Sequence, residues 1–362
     1  MPHIYFTVTN DLSYDQRMQR ICTTLAGAGY SVTLVGRRLS QSKPLAVRSY
    51  KQKRLPCIFT RSFLFYLEYN IRLFAYLLTR KMDAVCAIDL DTALPCLAVS
   101  GIKKIPRIYD AHEYFTELKE VRTRPVIKKV WTAVERFTVP RFKLGYTVSE
   151  GLAAEFYTQY KQQYAVIRNL PLLQDSLPSW PRENFIVYQG AVNEARGFET
   201  LIPAMRNVPY KLLICGDGNF MAALKTLIRD NDVADKIELT GMLLPEDLRP
   251  IAAKAVLGIG LAEKAGTNQY WALPNKFLEY MHAGLPQIAM NFPEYQKIND
   301  QFHIAVLLDD LEKDNVAAVI NRTMADQSLL EQMHHNSLEA RNVYCWQQEE
   351  KRLLEFYQRV FS

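Results

Sequence analysis

The segment Ala272-Leu-Pro-Asn-Lys-Phe-Leu-Glu-Tyr-Met-His-Ala-Gly-Leu-Pro286 combines an anion site, a carboxylate and a helix stop within about four turns. Pro274 suits the first turn of a helix, where its missing N–H costs nothing, and the amides exposed there, with Asn275 and Lys276, attract a diphosphate. Glu279 lies one turn further along the same face, placed to accept hydrogen bonds from ribose hydroxyls. Gly284 ends the helix, and residues 285–289 resume as a strand. This spacing suggests recognition of a nucleotide-sugar; an ordinary capped amphipathic helix is the competing reading.

Other segments carry compatible chemistry. Gln189-Gly-Ala-Val-Asn-Glu-Ala-Arg-Gly-Phe-Glu-Thr-Leu-Ile202 reads as a strand, a glycine turn and a helix, a usual seat for phosphate. Within it Arg196 and Gly197 stand out: an arginine grips phosphate bidentately, and Lys276 would be the second cation. A surface arginine near a helix start explains the pair as well. Gly216-Asp217-Gly218 also leaves a strand, but such turns are common. In the first half, Asp110, His112 and Glu113 follow a buried strand, where ligands of open α/β sheets bind. A structural histidine and a helix-capping glutamate are the alternatives there. Asp89-Leu-Asp91 mimics a carboxylate pair that shares a divalent ion. Asp91 precedes Thr92 at a strand-to-helix junction, however, so an acidic N-cap is expected instead of a metal, leaving Asp89 to contact an acceptor. Asp15 and Arg17, in the first strand-to-helix turn, would bind a polar acceptor or cap the helix.

The elements that must position these residues alternate short β-rich runs with longer helical ones. Strands are expected at 4–9, 31–35, 84–88, 107–109, 144–148 and 165–167, with helices over 14–28, 62–80, 92–100, 125–139 and 150–160. Three prolines between Asn169 and Arg182 mark a linker. The pattern restarts with strands at 185–189, 211–215, 236–240, 256–261, 286–290 and 305–308. Helices are expected to begin near Arg196, Asn219, Pro245, Pro274, Pro293 and Asp314, and the tail from Leu329 is helical. A chain of 362 residues, nearly half apolar, fits two α/β domains. The expected division is 1–169, a linker at 170–182, a second domain over 183–344 and a terminal helix over 345–362.

The Ala272–Pro286 segment resembles the C-terminal donor-binding helix of retaining glycosyltransferases with the GT-B fold, especially glycosyltransferase family 4. That resemblance implies two Rossmann-like domains facing a central cleft, with the last helix crossing back to the first domain. It makes Glu279 the ribose ligand and gives the diphosphate to Arg196 and Lys276. Gly216, Asp217 and Gly218 become the loop near base and ribose, and His112 a hydrogen-bond partner of the donor sugar, with Glu113 as the nearby carboxylate. Thr147-Val-Ser-Glu150 is similar to a structural turn of the family. Two departures stand out: Trp271 occupies the place of the family's first glutamate, and Ala191 that of an arginine. Variants with Pro-Asn-Lys before the helix form a recognisable branch.

The activity implied is metal-independent hexosyl transfer with retention, in which the leaving diphosphate accepts the acceptor's proton. The donor would be UDP- or GDP-linked, with no other cofactor, and the acceptor a glycan, a lipid-linked sugar or a small molecule, as in polysaccharide or glycolipid assembly. A sugar-nucleotide epimerase of the same fold, or a degenerate membrane-associated partner, would share the nucleotide site. A dehydrogenase is disfavoured, because the first strand lacks Gly-x-Gly-x-x-Gly.

Charge and composition narrow the setting. The net charge is +6, and Arg37, Arg38, Lys43, Arg48, Lys51, Lys53, Arg54 and Arg61 stand in an interval without acids, expected to be a loop. No nucleic-acid-binding signature accompanies them, so an anionic membrane surface or a phosphorylated acceptor fits better. The apolar helix over 62–80 is too interrupted to span a bilayer, and burial against the first sheet is the favoured reading over a place in the membrane interface. The six scattered cysteines read as reduced core residues, and the N-terminus, entering a strand directly, reads as cytoplasmic, with peripheral attachment to the inner membrane face through the basic segment.

Overall fold

The computed structural model of the chain describes residues 1–13, 15–175, 178–264 and 266–362. It divides into two compact units, Met1–Asn169 with Gly266–Asn268 and Trp346–Ser362, and Leu170–Ala265 with Gln269–Cys345. Each is a parallel sheet clothed by helices, as βαβ alternation requires.

The first unit contains β1 (His3–Thr7), β2 (Ser31–Arg38), β3 (Lys51–Pro56), β4 (Ala84–Ile88), β5 (Arg107–Ala111), β6 (Leu144–Thr147) and β7 (Ala165–Val166), in the order β3-β2-β1-β4-β5-β6-β7. Its helices are α1 (Gln16–Gly27), α2 (Ser62–Leu78), α3 (Ala93–Lys103), α4 (Lys119–Arg122), α5 (Pro125–Thr138) and α6 (Glu150–Tyr160). β4, with every residue of Ala-Val-Cys-Ala-Ile buried, takes the centre that a continuous apolar run demands. α1 buries Arg17, Met18, Ile21, Cys22 and Leu25, the spacing of one helical face.

The second unit contains β8 (Glu183–Gln189), β9 (Lys211–Cys215), β10 (Ile237–Gly241), β11 (Ala255–Gly260), β12 (Gln287–Met290) and β13 (Ala305–Leu308), in the order β10-β9-β8-β11-β12-β13. Its main helices begin with α7 (Phe198–Ala204), α8 (Met221–Asp230) and α9 (Pro245–Lys254). The short α10 (Thr267–Tyr270) precedes α11 (Asn275–His282), α12 (Pro293–Phe302), α13 (Lys313–Ala325) and α14 (Gln327–Val343). The terminal helix α15 (Trp346–Phe361) belongs to the first unit. There Trp346, Leu353, Phe356 and Tyr357 join Ile4, Phe6, Leu34 and the buried face of α1 in one core. Each side chain buried this fully contributes about 1.5–3 kcal/mol.

In both sheets the winding direction reverses beside the first strand, between β1 and β4 and between β8 and β11. Strand ends at such a switch point leave a crevice for ligands.

Several expectations change. β3 lies in the basic segment expected to be a loop; it pairs with β2 from Thr33↔Lys51 to Arg38↔Pro56 and forms the sheet edge. Only Leu55 of its six residues is buried, so the strand has no apolar alternation to announce it. α2 is buried along one stripe only, Phe65, Tyr69, Leu73 and Leu77, whereas burial of the helix was expected. Pro274 is the extended residue capping α11 rather than its first helical residue. Tyr14, where the first helix was expected to begin, and Ser176 and Leu177 of the expected linker lie outside the described residues. Leu170, also placed in that linker, is buried in the second unit's core, and Trp180 stacks on His334 with ring centroids 5.4 Å apart.

Candidate functional site

In the second unit two glycine turns leave adjacent strand ends and are laced together. Gly190 N donates to Cys215 O (2.9 Å), Val192 N to Asp217 O (3.0 Å) and Phe220 N to Val192 O (3.0 Å). The Asn193 side chain accepts from Asn219 N at 3.1 Å, and the Asp217 carboxylate accepts from Gly218 N at 2.7 Å. A Cβ on Gly216, whose φ is +156°, would sit 1.9 Å from Gly190 O, and one on Gly218 would sit 2.3 Å from Val192 O. Only glycine permits this approach, which leaves Asp217 and Gly218 exposed at the tip. Gly197, at φ +72°, caps α7 directly after the partly exposed Arg196.

α11 presents its charged side to the same strand end. Its Phe277, Leu278, Tyr280 and Met281 are buried, and the Tyr280 hydroxyl accepts from Gln189 N at 2.9 Å, tying helix to strand. On the other side, Gln189 Nε2 donates to Glu279 Oε2 at 2.5 Å. Lys276 lies over the Tyr188 ring, Nζ 3.9 Å from its centroid, and that Nζ is buried without a hydrogen-bond partner. Burial pushes the ammonium well below the usual lysine range; the nearby Arg196 charge lowers it further, and Glu279 opposes. Although part of the lysine stem reaches solvent, the charged atom does not. Two cations thus converge where no anion meets the Lys276 ammonium directly. Asn275 is exposed at the start of α11, and Trp271 packs edge-on against Tyr270.

In the first unit, the ends of β4 and β5 carry a different cluster. Arg17 donates to Asp110 Oδ1 (2.9 Å) and to Ile167 O (3.0 Å). His112 Nε2 lies 3.1 Å from Asp110 Oδ2, and its backbone N–H donates to Asp89 Oδ1 at 2.9 Å. Asp89 itself adopts φ +56°, a strained value for a non-glycine residue. Burial would raise the Asp110 carboxyl, but Arg17 and His112 outweigh it and hold it below its ordinary value. Burial likewise opposes the His112 imidazolium, yet Asp110 and Asp89 lift it to about 9. Burial pushes Asp89 to about 8 against the pull of His112, and Asp91 to about 6 against a hydrogen bond from Thr9.

This geometry revises the first-unit expectations. Arg17 is buried, with its two terminal nitrogens donating to Ile167 and Asp110, so it positions Asp110 instead of reaching an acceptor. Asp15 caps α1, accepting from Met18 N at 2.9 Å. Asp91 is not the cap of α3: it sits in a tight turn over residues 90–92 and takes the Thr9 hydroxyl at 2.5 Å. Glu113 is exposed, and its charge helps raise the Asp89 and Asp91 carboxyls.

Residues 173–340 match the family model of glycosyl transferases group 1. That match covers most of the second unit. No curated protein matches the chain in sequence. Among solved structures, the chain is similar to a sucrose-phosphate synthase from Thermosynechococcus elongatus (TM-score 0.84, 16% identity, covering 100% of this chain and 99% of that one). It is also similar to Anabaena HepE in complex with UDP and glucose (TM-score 0.76, 14% identity, 99% and 100% covered). A third is WaaG, a glycosyltransferase involved in lipopolysaccharide biosynthesis (TM-score 0.73, 15% identity, 97% and 98% covered). These likenesses over nearly the whole chain establish the GT-B fold, with two Rossmann-like domains.

Within the second unit, the residues missed in sequence are Tyr188 and Gln189, the end of β8. Tyr188 supports the lysine and Gln189 orients the glutamate. Their one available signal was position: they immediately precede the glycine turn on the strand beside the switch point.

Proposed function

We propose that this protein is a retaining glycosyltransferase, moving a sugar from a nucleoside-diphosphate-sugar to a glycan, lipid-linked or small-molecule acceptor. The observation that carries the reading is the buried Lys276 ammonium without a hydrogen-bond partner, beside Arg196 and one turn from Glu279. A diphosphate supplies the missing anion, and the ribose hydroxyls meet the Glu279 carboxylate that Gln189 holds. The group 1 match of this unit supports the assignment, as does the UDP bound to the structurally similar Anabaena HepE.

In the proposed reaction the bond between the sugar's anomeric carbon and the diphosphate oxygen breaks, and one to the acceptor oxygen forms on the same face. Arg196 and Lys276 stabilise the charge growing on the diphosphate, and a phosphate oxygen takes the acceptor's proton. No other cofactor enters. In the first unit we assign His112 to the transferred sugar and Asp89 to an acceptor hydroxyl.

The test is nucleoside diphosphate release by the purified protein from UDP-, GDP- and ADP-sugars, with Glu279→Ala alongside. Release from one donor is expected. Losing charge-assisted hydrogen bonds worth roughly 1.5–3 kcal/mol each should weaken nucleotide binding by about ten-fold or more in the variant. Unchanged affinity in a folded Glu279→Ala protein would remove the ribose role. Silence across the panel, with no thermal stabilisation by any nucleotide, would favour a non-catalytic partner protein.

A further inference from the structure

Helix α2 is apolar on both sides. Opposite its buried stripe it exposes Phe63 (66%), Leu67 (46%) and Ile71 (60%) at i, i+4, i+8, with Leu64 beside them. A helix covering a sheet ordinarily carries polar residues there. The preceding loop adds Ile58 (78% exposed) and Phe59. These two are pinned to the helix, because their backbone N–H groups donate to the Glu68 carboxylate at 2.9 and 2.8 Å. Glu68, the one acid of α2, also takes Arg72 Nε at 2.7 Å, so its charge is neutralised.

A cationic rim borders this face. Parallel partners point to the same side of a sheet, and Tyr5, Thr33 and Lys51 are in register. The Tyr5 ring meets Tyr76 of α2 at 6.4 Å, so Lys51, and Lys53 two residues on, project to the α2 side from the open edge strand. Both are exposed, as is Arg61 at the start of α2. From Gln16 to Leu67 the sequence contains no Asp or Glu.

We propose that this face docks on an anionic lipid bilayer. Ile58, Phe59, Phe63, Leu67 and Ile71 enter the headgroup boundary, while Lys51, Lys53 and Arg61 meet acidic headgroups. Charge selects this occupant: in a symmetric pair a second copy would bring the same unneutralised lysines and arginine against the same patch. Among the described residues no helix is long and apolar enough to cross a membrane, so the contact is a surface one.

The test is flotation with vesicles of phosphatidylcholine alone and of phosphatidylcholine with about 30% phosphatidylglycerol, at low and high salt. The protein is expected to float with the anionic vesicles at low salt, at least about ten-fold more tightly than with the neutral ones. Lys51→Gln/Lys53→Gln/Arg61→Gln should erase that difference. Phe63→Gln/Leu67→Gln/Ile71→Gln should abolish flotation while keeping its thermal midpoint and nucleotide affinity. Equal or absent binding to both vesicles would overturn the proposal. So would a dimer without vesicles that the apolar variant converts to monomer, since a second copy would then cover the face. The donor site plays no part in this result, which leaves the transferase reading to its own test.

Discussion

The strand ends of the two sheets handle charge in opposite ways. In the first unit, Arg17 and His112 share the Asp110 carboxylate and Asp89 holds the backbone of His112, so the charges meet within the fold, while the His112 and Asp89 side chains stay partly exposed. In the second, the Lys276 ammonium has only an aromatic face beneath it, and another cation lies nearby. Both occupy the same place in the same topology, beside the strand where winding reverses. A buried charge met inside the protein shapes the protein, whereas one left unmet calls for a ligand.

The largest effect should come from opening the closed cluster. Arg17→Met leaves Asp110 buried without its main partner and should cost about 3–5 kcal/mol in denaturant unfolding of the first unit. A loss below about 1 kcal/mol would mean that His112 alone satisfies Asp110. Next is the open site: Lys276→Met should lower diphosphate release by about 10²-fold or more through lost charge stabilisation, measured at saturating donor. A variant with unchanged turnover would assign the diphosphate to Arg196 alone. Smaller still, Gln189→Leu removes the amide that orients the Glu279 carboxylate and should weaken nucleoside diphosphate binding about three- to ten-fold by calorimetry.

The gentlest probe is pH. His112 stands at about 9 when folded against 6.5 ordinarily, so its stabilising contribution is complete below about pH 6.5 and is lost as pH rises through about 9. Its imidazole resonances should titrate near 9 in the folded protein, and the decline in stability over that window should flatten in His112→Gln. A titration near 6.5 would show that Asp110 and Asp89 do not act on the ring.

Periodicity made most strands and helices legible, because β4 and β11 are nearly continuous apolar runs and β8 carries Phe-Ile-Val-Tyr at its centre. β3 was not, since an edge strand of Lys-Gln-Lys-Arg-Leu-Pro needs only one buried side chain. α2 misled for the opposite reason: with apolar residues on both faces, its pattern cannot say which face is covered. Lys276 and Glu279 stood out because their neighbours in space are neighbours along one helix. Arg17 and Asp110 are 93 residues apart, and the Gln189–Glu279 bond spans 90, so no local spacing announces either pairing. The expectation that Arg17 meets an acceptor failed for that reason.

The return of α15 has a consequence for how the molecule is made. Trp346, Leu353, Phe356 and Tyr357 complete a core whose other members lie before residue 168. On a ribosome, the first unit therefore emerges with an open apolar flank and waits while the whole second unit is synthesised. The middle of the chain can close first, since its core draws only on residues 170–344. The order of domain completion is thereby the reverse of the order of their first residues, and the nascent first unit is the part that needs shielding.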